Sequence, residues 1–150
     1  MKKSDELERM LMETERFHPP IIIMMRKAME TFAYKHWRIP AGTMIVTSPS
    51  VSHMDGAVFS EPERFDPARF GEGRAEHKKF PYGMITFGGG KHKCIGLNFA
   101  YLQLKAIFAV MLRRFDIQLV SAPGHYVANY DFMLVGPKSP AKIAYRRRAG

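Results

Sequence analysis

The stretch TFGGGKHKCIGLNFA, residues 86–100, places Cys94, the only cysteine of the chain, between a glycine-rich loop and a long apolar run. A lone cysteine cannot form an internal disulfide, a two-thiolate zinc site or a CxxC redox pair. Glycines ahead of a helix allow a bound group to approach the backbone closely. The stretch therefore predicts a loop-to-helix junction built around one thiol, in a reducing intracellular setting.

The apolar run at residues 95–112 is long enough to suggest a membrane helix. Three polar residues interrupt it, Asn98, Gln103 and Lys105, and arginines follow at 113 and 114. A helix that is apolar on nearly all sides is typical of a protein core. We therefore predict a buried core helix over residues 95–114.

The N-terminal segment also has a helical pattern. Residues 4–16 have apolar side chains at helical spacing, Ser4 is a candidate N-cap, and Pro19-Pro20 ends the pattern. No apolar core of a secretory signal is present in this segment.

The other segments predict strands, turns and one long loop, which makes the chain mixed α and β. Short apolar or alternating runs predict strands at residues 21–25, 115–120, 130–135 and 142–147. Residues 34–48 are interpreted as a hairpin around a turn at 40–42, followed by one helical turn at 49–54. Residues 55–86 lack any sustained period, but their interleaved phenylalanines predict an ordered, packed loop: Phe59, Phe65, Phe70 and Phe80.

The composition limits the classes of protein to which the chain can belong. The 150 residues fit one domain, residues 1–150, and a hydrophobic content of 46% excludes a disordered tail. The net charge of +9 predicts an acidic partner. The chain lacks a basic, aromatic-rich motif of known type, so nucleic acid is not the expected partner.

Two phosphate-binding patterns fail at the glycine loop. A phosphate loop aligned on Gly90 and Lys91 needs glycine at 85 and Ser or Thr at 92, where this chain has Ile85 and His92. A dinucleotide fingerprint needs a third glycine where Lys93 stands.

Three interpretations of Cys94 remain: a buried structural thiol, a nucleophile paired with His92, or a metal thiolate. A thiol just before a helix is stabilised as thiolate by the helix dipole and nearby cations. One thiolate is enough for the axial ligand of a haem iron. Gly96 and Ala100 lie four residues apart on one helix face, so a flat group could lie against them.

The spacing favours the third interpretation. Phe87, Gly90, His92, Cys94 and Gly96 follow the pattern F-x-x-G-x-[RH]-x-C-x-G. At every fixed position this pattern resembles the cysteine-loop signature of the cytochrome P450 family.

Two further motifs occur in the order of that family. Glu13 and Arg16 resemble the E-x-x-R of its K helix, and residues 67–70, PARF, resemble its P-x-R-F element. The resemblance implies that Glu13, Arg16 and Arg69 form a buried triad, in which one carboxylate lies between two guanidinium groups.

The resemblance implies an α+β, mostly helical cytochrome P450 fold, of which this chain is the C-terminal haem-binding part. That part comprises the K helix, small β-sheets, the meander, the cysteine loop and the L helix. Cys94 would be the axial ligand of the haem b iron, and no other catalytic residue is implied. The remaining cofactor contacts would be two propionate partners, Arg26 and His92, and four residues along the ring, Phe87, Gly88, Gly96 and Ala100.

Longer segments, among them HPPIIIMMRKAM and SPSVSH, resemble the sterol 14α-demethylase branch of the family. The implied activity is oxidative demethylation of a sterol by a haem-thiolate monooxygenase, with O₂ and with electrons from NADPH through a reductase or ferredoxin. The implied pocket for a sterol-like, lipophilic substrate comprises Ile22, Ile23, Met24, Met25, Met133 and Leu134. The implied docking face for an acidic redox partner lies near Lys91, Lys93 and Arg113, with Lys105 and Arg114 on the same helix.

The family's distal motif, [AG]-G-x-[DE]-T, has no match in this chain. We therefore expect no turnover by this chain alone. Two alternatives remain, a non-catalytic haem-binding or scaffold fragment and a thiol enzyme using Cys94 and His92. The expected location is the cytoplasm, or the endoplasmic reticulum membrane if an N-terminal anchor is missing.

Overall fold

A computed structural model describes residues 2–120 and 127–148 of the chain. Its first element is helix α1, Lys2–Phe17, which confirms the predicted N-terminal helix. The prediction of Ser4 as N-cap is wrong, because the helix begins at Lys2 and Ser4 lies inside it. Pro19 and Pro20 follow the last helical residue, in line with the restriction that proline places on the residue before it.

The strands in the described part of the chain form four antiparallel pairs. The pairs are β1 (Met24–Lys27) with β4 (Met44–Thr47), β2 (Phe32–Tyr34) with β3 (Trp37–Ile39), β5 (Phe115–Leu119) with β8 (Ile143–Arg147), and β6 (Ala128–Asn129) with β7 (Gly136–Pro137). The predicted strands near 115–120 and 142–147 are thus confirmed, and they pair with each other.

The predicted hairpin over residues 34–48 is wrong in its pairing. The tight turn lies at Lys35, which has a φ of 53°, and it joins β2 to β3. At residues 40–43 the chain turns again, with Gly42 at a φ of 85° and its N–H donating to Ala28. After this second turn β4 pairs with β1 and not with β3, because its backbone hydrogen bonds are made to the strand that is more distant in the sequence.

The predicted strand over residues 130–135 is also wrong. Residues 131–134 are bends, and the flanking residues form the short strands β6 and β7 instead. The side-chain amide oxygen of Asn129 accepts from the N–H of Asp131 at 2.9 Å. This local turn competes with an extended strand, as Asn and Asp side chains commonly do.

The long segment before the cysteine is ordered, as its phenylalanines predicted. It follows the short helix α2 (Pro49–Ser52) and contains 3₁₀ turns at Pro67–Phe70 and Glu76–Lys78. Phe59 and Phe70 are buried, whereas Phe65 and Phe80 are about half exposed. A third 3₁₀ turn, Gly90–His92, leads towards helix α3, Leu97–Arg114.

Helix α3 forms close to the predicted position, but the prediction that it is buried is wrong. It has no buried residue, and the Phe99 side chain is 68% exposed. The helix packs against α1 and β5, which cover only part of its surface. Its apolar sequence therefore marks a surface that these elements of the chain do not cover.

The core lies between α1 and residues 53–76, and charged side chains form much of it. The buried apolar side chains among the described residues are Pro19, Ala28, Pro49, Phe59 and Phe70. The buried polar side chains are Glu13, Arg16, His53, Arg69 and Glu76. The four charged residues of this set, Glu13, Arg16, Arg69 and Glu76, are called here the buried ion cluster, which joins α1 to the segment that precedes the cysteine.

Candidate functional site

The structure brings the three residues of the predicted triad into direct contact. Arg16 donates from Nε to Glu13 Oε2 at 2.8 Å and from Nη2 to Glu13 Oε1 at 2.9 Å. Arg69 Nε donates to the same Oε1 at 3.0 Å. All three side chains are 0% exposed. Two guanidinium groups thus satisfy one buried carboxylate, which reduces the cost of removing it from water.

The buried ion cluster includes Glu76, which no sequence motif predicts. Glu76 Oε2 accepts from Arg69 Nη1 at 2.8 Å, and its carboxylate also accepts from the N–H and the hydroxyl of Ser60 and from Arg74. Burial opposes ionisation of Glu76, but the hydrogen bonds from Ser60, Arg74 and Arg69 lower its pKa to about 2. The only sequence signal was an acidic residue within a loop predicted to be packed.

The cysteine loop is held by backbone hydrogen bonds. The N–H of Cys94 donates to the carbonyl of Phe87 at 2.8 Å, and the N–H of Gly88 donates to that of Ile85 at 2.8 Å. Gly88 has a φ of 73°, and a Cβ there would lie 3.1 Å from the carbonyl oxygen of His92. Glycine is required at this position because both the φ angle and the close approach disfavour a side chain.

The Cys94 thiol is free and exposed at the end of this loop, shortly before α3 begins at Leu97. A Cβ added to Gly96 would lie 3.6 Å from Cys94 Sγ, so the missing side chain leaves space beside the sulfur. Ile95 and Phe99 are exposed on the same segment. One accessible soft donor, flanked by a glycine and apolar surface, fits a flat group with a single thiolate ligand.

The other predicted haem contacts occupy different environments. Phe87 and Ala100 are half-buried, and the Phe87 ring lies 5.8 Å from that of Tyr101. His92 is exposed in the loop. Arg26 is exposed on β1, where its Nη1 donates to the carbonyl of Met25 at 2.8 Å. Within the described ranges, no hydrogen bond or ion pair joins Arg26 to the cysteine loop, so its role as a propionate partner stays a prediction.

The residues assigned to a substrate pocket are mostly exposed in this chain. Ile22 and Met24 are half-buried, whereas Ile23, Met25, Met133 and Leu134 are exposed. Of the strands predicted at residues 21–25 and 130–135, only Met24 and Met25 lie in a strand, β1, and residues 133–134 lie in a bend. Their contact with a substrate stays a prediction.

The predicted basic face is partly neutralised. Lys91, Lys93, Arg113 and Arg114 are exposed. Lys105, in contrast, donates to Glu8 Oε2 of α1 at 2.8 Å. It therefore contributes less positive potential to a docking face than its position in the sequence suggests.

A cleft of about 750 Å³ is lined by residues of α1, of α3 and of the cysteine loop at 87–90. At its wall the Tyr101 hydroxyl donates to Glu15 Oε2 at 2.7 Å. Burial raises the pKa of Glu15 from 4.5 to about 7, although the hydrogen bond from Tyr101 opposes this shift. Burial, together with the carboxylate of Glu15, raises the pKa of Tyr101. This hydrogen-bonded pair joins helix α1, which carries Glu13 and Arg16, to helix α3, which follows Cys94.

The raised pKa of Glu15 predicts a pH-dependent stability. The folded chain holds the proton of the Glu15 carboxyl more tightly than the unfolded chain does. The stabilisation of the fold by this tighter proton binding is therefore complete below pH 4.5 and is lost as the pH rises through about 7. We expect Glu15→Gln to raise the free energy of unfolding above pH 7 by about 1–2 kcal/mol, with little effect near pH 4.5. Urea unfolding at both pH values measures this difference.

Glu6→Gln is the matched control, because Glu6 is an exposed acid of the same helix. Its free energy of unfolding should differ from that of the wild type by the same small amount at both pH values. An equal effect of Glu15→Gln at both pH values would contradict the assignment.

The fold places an accessible cysteine shortly before a helix, as the resemblance to the haem-thiolate proteins implies. The family model of cytochrome P450 matches residues 5–144. The chain therefore belongs to the cytochrome P450 family, which confirms the family and fold predicted from its motifs. Haem held by a cysteine thiolate is the cofactor of this family.

Among relatives, the chain is 38% identical over 150 residues to the sterol 14α-demethylase of Mycobacterium tuberculosis, covering 100% of this chain and 33% of that protein. It is 38% identical to the sterol 14-demethylase of Arabidopsis thaliana, covering 99% and 31%, and 37% identical to the human lanosterol 14-alpha demethylase, covering 99% and 29%. The chain spans about a third of the length of these relatives.

A solved structure, the retinoic-acid-bound cyanobacterial CYP120A1, is similar to this chain with a TM-score of 0.87 and 25% identity. The match covers 98% of this chain and 33% of that one. Over residues 2–120 and 127–148, no helix combines the length and the hydropathy that a bilayer crossing requires.

Proposed function

We propose that this chain forms the thiolate side of the haem site of a monooxygenase of sterol 14α-demethylase type. The observation that carries the proposal is the free, exposed thiol of Cys94, at the end of a loop that glycine allows to turn sharply ahead of α3. The relatives that match the whole chain support the choice of sterol demethylation as the parent activity.

In this proposal the Cys94 thiolate would hold the haem iron, and Gly96 and Ala100 would leave room for the ring beside it. Phe87 would pack near the sulfur, Gly88 would shape the loop, and His92 and Arg26 would bind the propionates. Bound haem b would supply the oxygen chemistry, which a cysteine thiolate ligand directs towards O–O bond cleavage.

The complete reaction also depends on partners. Electrons would come from NADPH through a reductase or a ferredoxin, which would dock on the exposed basic residues Lys91, Lys93 and Arg113. A negatively charged partner suits this surface by charge complementarity. The lipophilic substrate would contact residues 22–25 and the bend at residues 133–134.

The proposal is tested by the reduced carbon monoxide difference spectrum of the chain reconstituted with haem. We expect a Soret band of the thiolate-ligated type, and complete loss of that band in Cys94→Ala, because the chain has no second thiol. His36→Ala is the control, since His36 is exposed beside Trp37 and lies in the β2–β3 turn. A thiolate-type band that persists in Cys94→Ala would contradict the proposal.

The two alternatives are tested separately. A scaffold fragment would show the same thiolate band, and it is separated from the proposed function by sterol oxidation in a longer chain that supplies the distal motif, with a reductase, NADPH and O₂ added. A thiol enzyme would lose an activity on alkylation of Cys94 without any haem. The structure lends little support to the thiol enzyme, because in the described ranges no hydrogen bond joins the His92 ring to Cys94 Sγ.

A further inference from the structure

His53 is a fully buried histidine that connects two parts of the molecule. Its side chain is 0% exposed, and it follows helix α2. Its carbonyl oxygen accepts from Nη1 of Arg16, a member of the triad, at 2.8 Å. Its ring Nε2 accepts from the backbone N–H of Ile85 at 3.0 Å. The residue is therefore bonded to the buried ion cluster on one side and to the start of the cysteine loop on the other.

The contact at Ile85 reaches the cysteine through two backbone hydrogen bonds. The carbonyl of Ile85 accepts from Gly88, and the carbonyl of Phe87, between them, accepts from Cys94, both at 2.8 Å. The first bond closes a tight turn from Ile85 to Gly88, and the second closes the loop from Phe87 to Cys94, so a shift of Ile85 would be passed on to the backbone of Cys94.

We propose that His53 is a positioning residue, whose ring nitrogen holds the peptide of Ile85 and so fixes the loop that presents the Cys94 thiol. The sequence contains it in the segment SPSVSH, but nothing in its pattern distinguishes it from an exposed loop histidine.

The protonation state of the ring suits this role. Burial, with the nearby positive charge of Arg16, lowers the pKa of His53 to about 4, so the ring is neutral at neutral pH. A neutral imidazole can accept at one nitrogen while the other carries the proton. Because Nε2 accepts from Ile85, the proton is assigned to Nδ1.

Packing alone does not account for the imidazole ring of His53 at this buried position. Nδ1 is buried and finds no hydrogen-bond partner within residues 2–120 and 127–148. A buried donor without a partner is costly, and an apolar side chain of similar size would avoid that cost. The bond at Nε2 is the contact that an apolar side chain could not make.

The first experiment needs no haem and therefore does not rest on the proposed function. Amide hydrogen exchange is measured in the full chain for the wild type, His53→Leu, which removes the acceptor, and His53→Gln, whose amide oxygen can replace Nε2. We expect the Leu variant to accelerate exchange at Ile85, Gly88 and Cys94 roughly tenfold, the effect of losing about one hydrogen bond. The Gln variant should restore most of the protection.

Three outcomes decide the proposal. It is supported if the loop loses protection in His53→Leu while the β5–β8 amides keep it, and His36→Leu, the exposed control, changes neither. It is overturned if Gly88 and Cys94 exchange at the wild-type rate in His53→Leu. If His53→Leu unfolds the whole chain, His53→Asn replaces it, since its shorter amide cannot reach Ile85. Equal loop protection in the Gln and Asn variants then overturns the proposal.

A second experiment examines the consequence for haem ligation and does rest on the proposed function. In the reconstituted chain, the fraction of the carbon monoxide complex with the thiolate-type Soret band should fall in His53→Leu and recover in His53→Gln. If the wild type binds no haem, the proposed function fails while the exchange result still decides the role of His53. An unchanged fraction in a folded His53→Leu would overturn the link to the thiol.

Discussion

Replacing Arg69 by leucine is expected to lower the free energy of unfolding by about 3–5 kcal/mol, the typical cost of removing one partner from a buried ion pair. The guanidinium of Arg69 lies between two buried carboxylates, donating to Glu13 at 3.0 Å and to Glu76 at 2.8 Å. Without it, both acids remain away from water with fewer donors. Urea denaturation followed by circular dichroism measures the loss.

The chain contains a matched control for this change. Arg64 forms an ion pair with Glu61 at the same i,i+3 spacing as Arg16 with Glu13, but the two side chains are 68% and 75% exposed. Water screens such pairs, so Arg64→Leu should cost less than about 1 kcal/mol. If the two variants are destabilised equally, the buried ion cluster does not hold α1 against the segment before the cysteine.

Replacing Phe59 by alanine is expected to cost about 3–5 kcal/mol, as large-to-small changes in a core do. Phe59 is 0% exposed, and its ring centroid lies 6.3 Å from that of Phe70. The guanidinium carbons of Arg16 and Arg69 lie 5.2 Å and 5.9 Å from the same centroid. The change therefore removes the apolar contact with Phe70 and the aromatic ring that interacts favourably with the guanidinium groups of Arg16 and Arg69.

Phe132→Ala is the control for Phe59, because Phe132 lies in the bend at residues 131–134 and is 71% exposed. Its effect on unfolding should stay within about 0.5 kcal/mol. Phe59 and Arg69 are in contact, so the double variant should lose less than the sum of the single losses. Strict additivity would mean that the ring and the cation act independently.

The cysteine loop and the triad are recognisable from short motifs in the amino-acid sequence. The spacing of the residues around Cys94 and the order of the E-x-x-R and P-x-R-F elements are sufficient to recognise them, because each motif consists of residues that are close together in the sequence. The match to the cytochrome P450 family model confirms the family. Helix α1 and the strands at 115–119 and 143–147 are also predictable, since local periodicity determines them.

Strand partners are less predictable. The alternation in residues 34–48 indicates strands correctly, but it contains no information on whether β4 pairs with β3 or with β1. That choice depends on hydrogen bonds between segments distant in the sequence. The prediction for residues 130–135 is wrong for a local reason, because the Asn129 side chain stabilises a turn where the apolar pattern favours a strand.

The sequence by itself determined the family of this chain and singled out the residues of its candidate site: a single thiol, its glycine loop and the charged residues of the triad. Only the tertiary structure decided how these are supported. It brings His53 to Ile85 and Glu76 to Arg69, and it leaves helix α3 without the buried face that its composition predicted. The physical reason is that burial and long-range hydrogen bonds arise from the packing of distant segments, which composition and periodicity along the chain do not record.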